Sequence, residues 1–192
     1  MATNAPNPDR AALRQCLLSA RREWSTTAAA SSAYPQIQAR ILTVLTQLEP
    51  GCLGIYWPMQ GEFNPMDVAR AAQLQWTCQL ALPYARKSPA AMEFRMWDGQ
   101  PLSDKDECGI PSPKTPKCVP DVMLVPCVGF TPQGWRLGYG GGYFDRFMAA
   151  HPEVTAIGIS WDIGQIGPDA FEPGLHDQPL MAVITESNIF TP

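Results

Sequence analysis

The apolar positions of this chain change their spacing from segment to segment, and each change marks an element. Leu13, Cys16, Leu17, Ala20 and Trp24 recur at helical spacing, predicting a first helix that Asp9 caps and that runs to about Trp24. Ile37, Ile41, Val44, Leu45 and Leu48 predict a second helix over roughly 34–48. CysLeuGlyIleTyr (52–56) reads as a short buried strand ending in the turn TrpProMetGlnGlyGlu (57–62). Asn64 before Pro65 is a cap with proline at the first helical position, opening a third helix to about Gln75.

CysGlnLeuAlaLeu (78–82) predicts the next strand, and 92–97 alternates, with Met92, Phe94 and Met96 on one face. Residues 98–120 are polar and carry prolines at 101, 111, 113, 116 and 120, predicting a long surface loop. ValMetLeuValPro (122–126) is a continuous apolar run of the kind buried in a central parallel strand. A helix over 143–150 and strands at 155–160 and 181–185 complete the pattern. Strands alternating with helices predict an α/β sheet covered on both faces, with ligands at the carboxyl ends of its strands.

The 192 residues suit one compact domain spanning 1–192, and the 45% apolar content excludes disorder as the overall state. A net charge of −4 argues against a nucleic-acid partner. The longest nearly unbroken apolar run, Val122 to Phe130, is too short to span a membrane, and the N-terminus lacks an export signal's apolar core. Six cysteines without a CxxC pair, beside two histidines, argue against a zinc site and for reduced thiols in the cytoplasm.

The chemistry concentrates in GlyTrpArgLeuGlyTyrGlyGlyGlyTyrPheAspArg (134–146), where five glycines fall within nine positions between a buried strand and a short helix. Glycine lets backbone N–H groups converge on an anion, and the helix that follows adds its dipole. Arg136 adds a planar donor fork for phosphate. The spacing matches neither a P-loop nor a dinucleotide fingerprint, so this reading competes with that of a tight turn without a ligand.

ArgLeuGlyTyrGlyGlyGlyTyrPheAspArg closely resembles the signature of the 5-formyltetrahydrofolate cyclo-ligases, also called 5,10-methenyltetrahydrofolate synthetases. The likeness extends to AspValMetLeuValProCysValGlyPhe before it, ArgAlaAlaLeuArg near the N-terminus, the 57–62 turn, LeuPro at 82–83, and HisAsp at 176–177 before AlaValIleThrGlu. It implies a three-layer αβα sandwich with a mainly parallel sheet, and a monomer acting on 5-formyltetrahydrofolate with ATP and Mg2+. The implied ATP site is Arg10, Arg14, Arg136 (also the implied catalytic residue), Leu137, Gly138, Tyr139, Gly140, Gly141, Gly142, Tyr143 and Phe144. The implied folate contacts are Trp57, Glu62 and the stretch Tyr139, Gly140, Gly141, Gly142 and Tyr143, and the implied metal ligands are Asp145 and Asp177.

Each assignment has a plainer competitor. Asp145 suits a helix's first turn, Asp177 and Glu62 suit solvated acids, and Trp57 suits a core or rim aromatic. Arg21 lies beside Arg10 and Arg14 on the first helix and reads as part of a solvated basic face, and His176 carries no assigned role. Three positions depart from the family pattern: Thr131 stands where aspartate is common, Gly141 where some members have lysine, and Ser112 where glutamate is frequent. Those departures keep open a catalytically weak folate- or nucleotide-binding protein, and an ATP-dependent ligase acting on another small amide is a further alternative.

Overall fold

The computed structural model describes residues 8–167 and 170–192. Its frame is an eight-stranded sheet in the order β10-β9-β8-β5-β1-β2-β3-β4. The strands are β1 (Cys52–Gly54), β2 (Gln79–Lys87), β3 (Ala90–Trp97), β4 (Lys117–Cys118), β5 (Val122–Pro126), β8 (Thr155–Ile159), β9 (Ala182–Ile184) and β10 (Ile189–Phe190). The run β9-β8-β5-β1-β2 is parallel, while β3, β4 and β10 pair antiparallel at the edges. A separate ribbon, β6 (Gly129–Phe130) with β7 (Arg136–Leu137), leads into the glycine-rich segment.

Helices cover both faces, as a parallel sheet requires. On one face α2 (Ala28–Leu48) and α3 (Met66–Trp76) share a core with Leu53, Ile55, Leu80, Leu82, Leu124 and Ile157. In α2 the inward positions Ile37, Ile41 and Leu45 are fully buried, four residues apart. On the other face α4 (Tyr143–Ala150) lays Phe147 and Met148 over Met123, Val125 and Phe94. The rings of Phe94 and Phe147 meet edge-on with centroids 5.0 Å apart.

The structure corrects four sequence expectations. Helix α2 begins at Ala28, where the Thr27 hydroxyl accepts from Ala30 N, because AlaAlaAlaSerSerAla carries no apolar period to reveal it. Helix α1 (Pro8–Trp24) takes in Asp9 within its first turn rather than starting after it. Cys16 and Met96, expected on apolar faces, are exposed. The 98–120 segment contains β4 and a bridge between Lys105 and Pro111, and it buries Asp106 and Ser112.

Strand β1 pairs with β2 on one side and β5 on the other, so the sheet order switches direction there. Helix α1 is set across that carboxyl end of the sheet, with Leu13 and Leu17 against Leu137, Ile166 and Phe171. Any ligand at the switch point is therefore walled by α1.

Candidate active site

A cavity of about 870 Å³ opens at this end of the sheet. Its lining includes residues of α1 (Arg10, Arg14), the turn after β1 (Trp57, Glu62), the loop before α4 (138–142), and the 172–177 loop. Gly140 and Gly142 hold left-handed φ values of +91° and +62°, which lets the loop fold back before α4 begins. The ring of Tyr143 occupies the space that a side chain at Gly141 would take, 2.8 Å from the position of its Cβ.

Arginines knit the cavity wall. Arg14 Nε donates to Gly138 O at 2.6 Å, so α1 is bonded directly to the glycine loop. Burial, with Arg10 close by, lowers the pKa of Arg14 from its ordinary value. Arg136, 5% exposed on β7, donates through Nη1 to Asp145 Oδ1 at 2.8 Å. The same oxygen accepts from Gln178 N at 3.2 Å. Arg10 Nη2 lies 2.9 Å from Asp177 Oδ2, which also accepts from Gly174 N, and the Arg10 guanidinium stands 4.7 Å over the Phe171 ring.

The opposite wall is the turn after β1. Trp161 Nε1 donates to Gly61 O at 2.9 Å, and Gly61 (φ +78°) has Ser25 against it so closely that a Cβ would come within 2.8 Å of the hydroxyl. The turn thereby delivers Glu62 inward with 3% of its side chain exposed. Glu62 Oε2 accepts from Met59 N at 2.8 Å, and Oε1 accepts from the Tyr139 hydroxyl at 2.6 Å. Burial raises the pKa of Glu62 against the opposing pull of these bonds and of Arg21. Burial likewise raises the pKa of Tyr139, helped by the Glu62 charge.

A profile of the 5-formyltetrahydrofolate cyclo-ligase family matches residues 6–186. The chain belongs to that family. Two Escherichia coli strains carry a 5-formyltetrahydrofolate cyclo-ligase that is 35% identical to it over 72 residues, 36% of this chain and 38% of the relative's length. A probable 5-formyltetrahydrofolate cyclo-ligase of Caenorhabditis elegans is 52% identical over 31 residues, 16% of this chain and 15% of its own. The matched stretches thus span well under half of these curated relatives. Two solved 5,10-methenyltetrahydrofolate synthetases share the fold. The Aquifex aeolicus structure has a TM-score of 0.76 at 19% identity, covering 95% of this chain and 92% of that one. The Mycoplasma pneumoniae structure has a TM-score of 0.74 at 21% identity, covering 92% and 98%.

The positions that the cyclo-ligase resemblance singled out converge on this cavity with one exception. Leu137 is fully buried and turns its side chain toward Ile166 and Phe171, leaving only its backbone near the loop. Arg21 corrects the solvated reading outright: it is 4% exposed and bonded on three sides. Its stripe of Leu13, Arg14, Leu17, Arg21 and Trp24 is the inward face of α1, a mixture that a search for apolar periodicity passes over. The cavity wall also includes Asp106 and Cys108, from the segment expected to be a surface loop. Asp106 accepts from Ala85, Cys108 and Ile110 N–H groups, and the Ser112 hydroxyl donates to Pro83 O at 2.7 Å. Ser112 is thus a fully buried strut that pins this segment to β2.

The donor set suits magnesium. Asp145 Oδ2 and Asp177 Oδ1 have no hydrogen-bond partner among the described residues, and both residues line the cavity. No cluster of three or more His, Cys, Asp or Glu that could hold a metal occurs among the described residues. A two-carboxylate site, completed by water and phosphate oxygens, is how magnesium is commonly held.

Proposed function

We propose that the protein is an active cyclo-ligase that converts 5-formyltetrahydrofolate to 5,10-methenyltetrahydrofolate, with ATP converted to ADP and phosphate. The observation that carries this reading is the shared cavity: the glycine loop with Arg14 and Arg136 forms one wall, and Trp57 with Glu62 forms another. An amide formyl oxygen is a poor leaving group. Transfer of the terminal phosphoryl group to that oxygen activates the formyl carbon. The folate N10 attacks that carbon and loses its proton, and phosphate leaves carrying the former formyl oxygen.

The protein's task in such a reaction is to position the reactants and neutralise developing charge. Backbone N–H groups of 138–142 and the start of α4 receive the phosphates. Arg136 is the catalytic cation, already oriented by Asp145, and Arg14 and Arg10 extend the positive wall. Asp145 and Asp177 would hold Mg2+, which supplies charge neutralisation on the nucleotide phosphates. Trp57 offers a flat face for a ring, and Glu62 offers carboxylate oxygens to N–H donors on the pterin edge.

The test is direct. Purified protein mixed with 5-formyltetrahydrofolate, ATP and magnesium is followed at the methenyl product's absorbance. Growth that needs both ATP and magnesium, and that falls at least roughly hundredfold in Asp145→Ala, is the expected result. A flat trace from folded protein rejects the reading. The departures at Thr131 and Gly141 favour, as the second reading, a folate- or nucleotide-binding protein with weak turnover. Calorimetric binding of folate and ATP without product would identify it.

A further inference from the structure

We infer that Arg21 is a positioning residue that fixes the charge of Glu62 and the seat of Tyr139, joining the glycine loop to the folate wall through one buried guanidinium. This inference rests on the cyclo-ligase reading. Arg21 is absent from the cavity lining, whereas both of its partners are on it, so its effect on a substrate passes through them.

The contacts leave Arg21 little freedom. Nη2 donates to the Tyr139 hydroxyl at 2.5 Å, and that hydroxyl donates onward to Glu62 Oε1 at 2.6 Å. Nη1 lies 3.7 Å from the same Glu62 oxygen and donates to Cys127 O at 3.3 Å. Nε donates to Gln60 O at 3.1 Å, inside the turn that carries Glu62. One side chain of α1 therefore holds the β1 turn, the end of β5 and the glycine loop together. Arg14, two helical turns earlier, bonds the same loop at Gly138, so α1 grips it twice.

The charge argument decides what Arg21 does there. A carboxylate with 3% of its side chain exposed is costly to ionise without a nearby cation. The titratable groups facing Glu62 are Arg21 from α1, Tyr139 from the glycine loop, Tyr56 beyond β1 and Cys127 beyond β5. Burial keeps Tyr56 neutral and pushes the Cys127 thiol up to about 12. Arg21 is thus the one cation among them, and a neutral Glu62 would present an O–H donor at one oxygen where a pterin N–H needs an acceptor.

The experiment compares wild type with Arg21→Met, Arg21→Lys, Glu62→Gln and the Arg21→Met/Glu62→Gln double variant. In the methenyl assay, Arg21→Met is expected to raise KM for 5-formyltetrahydrofolate roughly ten- to hundredfold, the scale of a hydrogen bond to a charged group, with a clearly smaller rise in KM for ATP through the glycine loop. The acid limb of its kcat/KM profile should move to higher pH, and Arg21→Lys should restore part of the folate KM. Equal losses for both substrates, in proportion to folded protein, would overturn the inference.

Urea unfolding against pH supplies a readout free of turnover. The folded pKa of Glu62 is raised, so its contribution to stability falls as pH climbs from the unfolded value through the folded one. Without Arg21 that window extends to higher pH, so Arg21→Met and wild type should be closest in acid and diverge toward neutral pH. Glu62→Gln should remove the divergence. If the two substitutions add independently at every pH, Arg21 does not act through Glu62. Absence of wild-type turnover would reject the cyclo-ligase reading alone, and the unfolding cycle would then decide the Arg21–Glu62 coupling.

Discussion

A buried arginine and a buried threonine show how residue identity alone misleads. The reading of Arg21 as a surface cation followed from its neighbours Arg10 and Arg14, because a run of basic residues on a helix usually faces water. Its real partners, Tyr139 and Glu62, lie 118 and 41 positions away, and a local pattern carries no trace of them. The glycine loop was legible because its chemistry is local: five glycines, two arginines and an acid within thirteen residues. Thr131 presents the converse. It is buried on the β6–β7 turn, and its Oγ1 has no hydrogen-bond partner among the described residues. Burying a hydroxyl without a bond costs about 1–3 kcal/mol, so Thr131→Val should stabilise the protein by about 1 kcal/mol in urea unfolding. A loss of stability would show that the hydroxyl is bonded.

At the scale of elements, α4 runs over the expected 143–150, the Asn64–Pro65 start signal placed α3 to within a residue or two, and the apolar pattern did the same for β5 and β8. It failed on 98–120, where order comes from side chains meeting backbone rather than from a period. Asp106 collects three amides, one of them from β2, and Ser112 ties to Pro83 across 29 positions. Composition dominated by proline and charge looks the same whether or not such struts exist. Asp106→Ala should therefore cost about 2–3 kcal/mol by chemical denaturation and expose 98–120 to limited proteolysis. Unchanged cleavage would mean that β4 and the bridge at Lys105 hold the segment unaided.

For the whole molecule, the layered α/β arrangement was readable from the alternation of strand and helix periods, whereas the antiparallel edges were not. Lengthening of β2 to Lys87 and its pairing with β3 depend on contacts that no single period encodes. The six cysteines are free and differ in access. Cys127 is buried and Cys52 half-buried, and burial pushes both thiols up to about 12, while Cys16 stands exposed on α1. A thiol reagent at neutral pH should label Cys16 first and reach Cys52 and Cys127 only on unfolding, as mass spectrometry of timed digests would show. Fast native labelling of Cys127 would contradict the packing described at the end of β5. No helix among the described residues is long and apolar enough to cross a membrane.

The grip of α1 on the glycine loop has a consequence for assembly. Arg14 and its acceptor at Gly138 are 124 positions apart, and Arg21 and Tyr139 are 118 apart. During synthesis α1 leaves the ribosome more than a hundred residues before the glycine loop that it binds. The cavity is thus among the last features to close, and contacts of such long range are slow to form. Binding competence is then a report that the fold has been completed, and a chain released early carries a helix whose arginines have nothing to hold.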